Sequence, residues 1–180
     1  MKPLIEVADY RPEWALQFRQ IKELILQLNC PAILQVEHVG STSVPGLAAK
    51  PILDIDLMIK DEAQLPEVSK ALFTLGYIYE QLQLLPGREG YHRLDNAVPW
   101  CPGQQQWMKQ HLYVCPQDSA ELRNHLCFRD HLLQHPEAAL QYGMLKKELA
   151  ITSSDRLDYT NRKTEFVHSI LQLYKKENRS

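Results

Sequence analysis

The densest chemistry in the sequence lies between His38 and Asp56, where Gly40-Ser41-Thr42-Ser43 precedes Lys50 and the run Pro51-Ile-Leu-Asp-Ile-Asp-Leu-Met-Ile-Lys60. Leu53, Ile55, Leu57 and Ile59 recur at every second position, which predicts a strand with one wholly apolar face and places Asp54 and Asp56 together on the other. Residues two apart on a strand have Cα atoms about 6.5–7 Å apart, so both carboxylates can reach one site. Two acids on a stiff strand suit Mg²⁺, or Mn²⁺ in its place, with water and substrate phosphates completing the shell. Gly40 lets the backbone approach a phosphate, Ser41 and the N–H groups of Thr42 and Ser43 can hydrogen-bond its oxygens, and Lys50 can add a point charge. A metal that neutralises a leaving pyrophosphate and aligns an acceptor oxygen does most of what nucleotidyl transfer requires. The expected chemistry is therefore transfer of a nucleotidyl group from a nucleoside triphosphate, with Asp54 and Asp56 as catalytic metal ligands. A carboxylate that merely caps a neighbouring helix is the competing account of an Asp-x-Asp strand.

His38, two residues before the turn glycine, either serves the phosphate site or bonds structurally to backbone. His111 and Tyr113 share a strand face by alternation and can look into the pocket. Arg88 and Arg93 flank a turn and are expected to be solvated, with anion binding as the alternative. Arg129, Asp130 and Lys163 are expected to tie the C-terminal helices to the sheet instead of meeting the pocket. Trp100 and Trp107 are expected to anchor the long loop around them onto the core. Asp118 reads as a helix N-cap. A zinc hydrolase built on His111 and Cys115, four apart, is a further alternative.

The elements that must position these residues follow from periodicity. Trp14, Phe18, Ile21, Ile25 and Leu28 trace one face of a helix over Pro12 to Asn29, and Ala32 to Val39 reads as a strand. Leu65 to Leu75 predicts a helix stopped by Gly76, followed by strands over Tyr77 to Leu84, near Tyr91 to Leu94, and over His111 to Cys115. From Ser119 onward apolar residues fall at helical spacing, and Pro136 and the polar stretch Thr152 to Asp155 divide three helices. The result is one mixed α/β domain over residues 1–180: a mixed sheet flanked by helices, a helical C-terminal third, and a polar tail over 175–180.

The 180 residues carry 20 Lys and Arg against 22 Asp and Glu, a net charge of -2, which supplies no electrostatic case for duplex nucleic acid or an anionic membrane. No apolar run approaches the roughly 20 residues of a bilayer span, and the start, Met1 to Trp14, has no signal-peptide core; a cytoplasmic protein is expected. Four scattered cysteines without a C-x-x-C pair predict reduced thiols. Any apolar stripe left over on the C-terminal helices would favour a homodimer.

The stretch Glu37-His38-Val39-Gly40-Ser41-Thr42-Ser43-Val44-Pro45-Gly46-Leu47-Ala48-Ala49-Lys50-Pro51-Ile52-Leu53-Asp54-Ile55 resembles the signature of the GrpB-like family, a branch of the nucleotidyltransferase superfamily. The resemblance extends to Asp9-Tyr10-Arg11-Pro12-Glu13-Trp14, to Phe128-Arg129-Asp130-His131-Leu132 and His135-Pro136-Glu137, and to Tyr159, Lys163 and Phe166. It implies the nucleotidyltransferase-like fold and a Gly-Ser plus Asp-x-Asp site for metal and nucleotide, with an acceptor it does not name. It also implies a third carboxylate on a later strand in active members, whereas this chain has His111-Leu112-Tyr113 where the family pattern falls. A non-catalytic nucleotide-binding or assembly module on the same fold is the alternative that this departure keeps open.

Overall fold

The structure, a computed structural model, describes residues 5–80, 87–103 and 105–177. The expected strand beyond Glu80, the turn at Pro86 and the last residues of the polar tail lie outside this range. Helix α1 (Pro12–Leu26) begins on a proline at its first turn, where no backbone donor is lost. Strand β1 (Gln35–Val39) starts three residues later than its apolar run, because a turn closed by Ile33 N–H on Cys30 O precedes it. A short 3-10 turn (Ser41–Ser43) leads to β2 (Ile52–Ile59), then α2 (Leu65–Phe73), β3 (Tyr77–Glu80), β4 (Glu89–Arg93) and β5 (Lys109–Pro116). Three helices finish the described chain: α3 (Ala120–Gln134), α4 (Pro136–Thr152) and α5 (Arg156–Glu177). The cap of α3 is Ser119, whose side chain accepts from Leu122 N–H, and not the expected Asp118.

The strands form one mixed sheet in the order β1-β2-β5-β4-β3. β2 is antiparallel to β1 and parallel to β5, with Asp54 in register with Val39 on one side and His111 on the other. The apolar face of β2, Leu53, Ile55, Leu57 and Ile59, is fully buried against Trp14, Phe18, Ile21 and Ile25 of α1 and Val68 and Leu72 of α2. Each such aliphatic side chain contributes about 1.5–3 kcal/mol on burial, so this face holds the sheet in place. Trp107 is buried there too and donates its Nε1–H to Pro99 O at 3.0 Å, anchoring the loop as expected, whereas Trp100 is 43% exposed.

The opposite face meets the C-terminal helices, whose own core joins Phe128 and Leu132 of α3, Tyr142 of α4 and Ile170 of α5 to Val44 and Leu47. Its contact with the sheet is largely polar. Arg129 donates to Glu37 Oε2 at 2.6 Å and to His38 O at 3.1 Å, binding α3 to β1. This polar seam leaves room for cavities.

Candidate functional site

Asp54 stands mid-strand on the polar face with its carboxylate partly exposed, and His111 Nδ1 lies 3.0 Å from its Oδ1. At the end of β1 the chain turns through Gly40 with φ 68° and ψ −172°, a conformation essentially confined to glycine. A Cβ there would sit 2.3 Å from Asp54 Oδ2, so the turn closes directly over the carboxylate.

In front of Asp54 lies a cavity of about 300 Å³ whose walls include Ser41, Lys50, Arg88, Tyr113, Lys146 and Lys163. A second space of about 350 Å³ adjoins it, shares Ser41, Asp54, Arg88 and Lys163, and runs on to His125 and Tyr142. The first cavity thus sets four cationic side chains, Lys50, Arg88, Lys146 and Lys163, against the single carboxylate Asp54. Lys146 on α4 is only 2% exposed, and its Nζ has no hydrogen-bond partner, sitting 4.4 Å over the Tyr142 ring. Burial first, then the positive charge of Lys163, pushes its ammonium down to about 7 against the opposing pull of Asp54. Burial lowers Lys163 as well, and lowers Lys50 with help from Lys163 and Arg156. Lys50 lies 4.4 Å over the Tyr159 ring. Cations held off water over aromatic faces, short of anionic partners, form a site prepared for a polyanion.

Asp56 shares the strand face but not the cavity wall. It is fully buried; His125 Nδ1 on α3 bonds its Oδ2 at 2.6 Å, and Arg88 Nη2 stands 4.0 Å from its Oδ1. That Oδ1 has no hydrogen-bond partner. Arg88 in turn stacks its guanidinium 3.4 Å over the Tyr113 ring. Asp54 faces the cavity and is a carboxylate of the kind a Mg²⁺ would take with water and phosphate oxygens around it, whereas both Asp56 oxygens are enclosed, beside Arg88 and His125. Among the described residues no group of three or more His, Cys, Asp or Glu side chains could hold a metal ion, so a two-metal pair and a zinc centre both lack their donors. Cys115, the expected zinc partner of His111, is buried with its thiol pushed up to about 12 by burial and by Asp56. Four residues along a strand also span about 13 Å, too far for one ion.

Of the residues singled out in the sequence, Ser41, Lys50, Asp54, Arg88, His111 and Tyr113 come together around the first cavity, Arg88 being largely enclosed and stacked on Tyr113 instead of solvated as expected. Gly40 lines the second. Thr42 borders the first, but it is buried, donates to Ile52 O at 3.2 Å and bonds His38 Nε2 at 3.0 Å. Ser43 turns its hydroxyl back onto Gly40 O at 2.6 Å, which stiffens the turn. His38 points to the other sheet face, stacked on Phe18 with ring centroids 4.4 Å apart. Lys163, expected as a structural tie, faces both cavities instead.

Burial pushes the His38 imidazole down to about 4, with Asp54 opposing and Arg129 adding to the fall. The unfolded chain binds that proton near pH 6.5 while the folded chain refuses it until about 4, so stability is expected to fall on acidification across this window by about 1–3 kcal/mol. Urea denaturation at pH 7 and pH 4.5 checks this, with His38→Gln losing that part of the slope.

Lys146 escapes a reading by sequence motif, and so does the bond of His125 to Asp56. The available signal was a lysine inside the buried stripe Ala139, Tyr142, Lys146 and Leu149 of α4, at helical spacing. A charge in such a stripe is costly unless something pairs with it.

A five-stranded mixed sheet whose Gly-Ser turn closes over an Asp-x-Asp strand, with helices behind, defines a nucleotidyltransferase-like fold. Consistent with that, the structure is similar to the Cid1 poly(U) polymerase solved with MgGTP bound, at TM-score 0.53 and 12% identity, over 78% of this chain and 42% of that one; this likeness is one of fold. The chain belongs to the GrpB family: the family described as GrpB protein matches residues 4–173. It is also similar to the solved GrpB from Enterococcus faecalis, at 30% identity and TM-score 0.78, covering 97% of this chain and 100% of that one. It is 29% identical over 167 residues to UPF0157 protein YqkA of Bacillus subtilis (strain 168), covering 92% of this chain but only 46% of YqkA. Among the described residues no helix is long and apolar enough to cross a membrane.

Proposed function

We propose that this chain binds a nucleoside triphosphate with Mg²⁺ in front of Asp54 and transfers its nucleotidyl group to an acceptor hydroxyl. The observation that carries the reading is Lys146, a buried amino group facing a cavity with no hydrogen-bond partner for its Nζ. A buried, unpaired charge is retained at a cost, and a phosphate chain would relieve it. Similarity of fold to a polymerase solved with MgGTP supports the choice of ligand.

In this reading Lys146 and Lys163 hold the phosphates from the helical side, and Lys50 and Ser41 from the side of the Gly40 turn. Asp54 would hold the Mg²⁺, which would supply neutralisation of phosphate charge and of the leaving pyrophosphate, while Asp56 supports the same strand face from behind through His125 and Arg88. Arg88, clamped between Asp56 and the Tyr113 ring, keeps a fixed positive charge at the cavity wall. His111 fixes the Asp54 carboxylate through its Nδ1.

A second reading, binding without turnover, is favoured by two observations: His111 stands in register with Asp54 on the strand where the family resemblance implies an acid in active members, and Asp56 is already bonded to His125. Calorimetric titration of ATP, GTP, CTP and UTP with and without Mg²⁺, followed by a pyrophosphate-release assay over candidate acceptors, separates the two. Asp54→Asn sharpens the test through its sign. It is expected to abolish the gain in affinity that Mg²⁺ confers, while metal-free affinity stays level or rises, because a carboxylate that repels phosphate is gone. An unchanged Mg²⁺ response would remove Asp54 from the site.

A further inference from the structure

We infer that the cavity between β4 and β5 is a second ligand site, one that takes a small polyhydroxylated amine and presents it to the phosphate cavity as acceptor. Only the word acceptor rests on the nucleotidyl-transfer reading; the binding does not. The cavity measures about 370 Å³ and opens where the antiparallel pairing of β4 with β5 ends at Tyr91 and Leu112. His111 and Tyr113 line both this cavity and the phosphate cavity, so the two meet at a shared wall.

Their charges are opposite. The phosphate cavity sets four cations against one carboxylate, a formal net of +3, whereas here Glu80 and Asp95 stand against Arg93, a formal net of −1. The Arg93 guanidinium is already turned to Asn96 Oδ1 at 3.4 Å and Val98 O at 3.5 Å. Asp95 accepts from Ala97 N–H at 2.7 Å and Trp100 Nε1–H at 3.4 Å. Glu80 is the acid left for a ligand: it is about half exposed, with His92 Nδ1 at 3.5 Å from one oxygen. An anion entering here would meet the Glu80 carboxylate, while an ammonium or hydroxyl would find acceptors. A hydroxyl placed beside His111 would also stand next to the residue that touches Asp54.

The transfer balances without another reactant. The acceptor oxygen bonds to the α-phosphorus, the bond from that phosphorus to the bridging oxygen breaks, pyrophosphate leaves with the electron pair, and the hydroxyl proton goes to solvent water.

Calorimetry and ligand-observed NMR on the full chain, with glucosamine, glucose and glucose 6-phosphate as probes, test the site. Glucosamine is expected to bind most tightly and glucose 6-phosphate least. Glu80→Gln, which keeps the shape and removes the charge, should weaken glucosamine about tenfold and leave ATP affinity unchanged. Glucosamine binding no better than glucose 6-phosphate, or equally well to the variant, overturns the proposal. If glucosamine behaves as expected and ATP fails to bind, the nucleotidyl reading falls and the cavity stands; ATP binding with no response to glucosamine gives the reverse.

Discussion

Gly40→Ala is expected to lower stability by about 2–4 kcal/mol and to abolish nucleotide binding together with it. Two costs add at this position. The backbone at φ 68° and ψ −172° is strained for any residue with a Cβ, at about 1–3 kcal/mol. The new methyl would also lie 2.3 Å from Asp54 Oδ2, which is less than contact distance, so turn and carboxylate must part. Parting them moves Asp54 away from His111 and shifts Ser41, and the cavity wall goes with them. Gly46 supplies the control, because it too has a positive φ, 80°, but nothing lies within 4 Å of its added Cβ. Gly46→Ala should therefore show backbone strain alone, about 1 kcal/mol. Urea denaturation and ATP titration of both variants make the comparison; equal losses in stability would show that the turn does not press on the carboxylate.

Lys146→Met is expected to move stability and binding in opposite directions. Removing a buried ammonium that has no partner, and replacing it with an apolar chain of similar length, should stabilise the fold by about 1–3 kcal/mol. The same change should weaken ATP by about 10- to 100-fold through loss of a charge-assisted contact. A pH signature accompanies it. The unfolded lysine stays protonated to about 10.5 whereas the folded one releases its proton near 7, so between these values the unfolded state binds more protons and stability rises with pH. The cost is present in full below about pH 7 and is relieved as pH climbs, and the variant should lack that rise. Binding a polyanion would restore the ammonium, so titration near pH 8 in buffers of different ionisation enthalpy should show proton uptake in the native chain and less in the variant. A variant that loses stability like an ordinary core truncation would place Lys146 in the packing and take it out of the site.

The alternation in Leu53, Ile55, Leu57 and Ile59 announced both the central strand and the common face of Asp54 and Asp56, because a strand's geometry leaves a residue no other choice. Periodicity likewise announced α1, α2 and the three C-terminal helices, and the motif around Gly40 announced the family. What a strand face does not decide is what stands opposite it. Asp54 and Asp56 are equivalent along the chain, yet one looks into a cavity and the other is sealed by His125 of α3, 69 residues away. The same holds for the cations: Lys146 and Lys163 lie on α4 and α5, remote in sequence from the Gly-Ser turn, and only the packing of those helices across the polar face brings their charges before Asp54. Local spacing thus determined the strand, the turn and the family by itself. Which carboxylate is open, and that the site is basic, was decided by long-range packing, since electrostatic environment depends on distance through space and not along the chain.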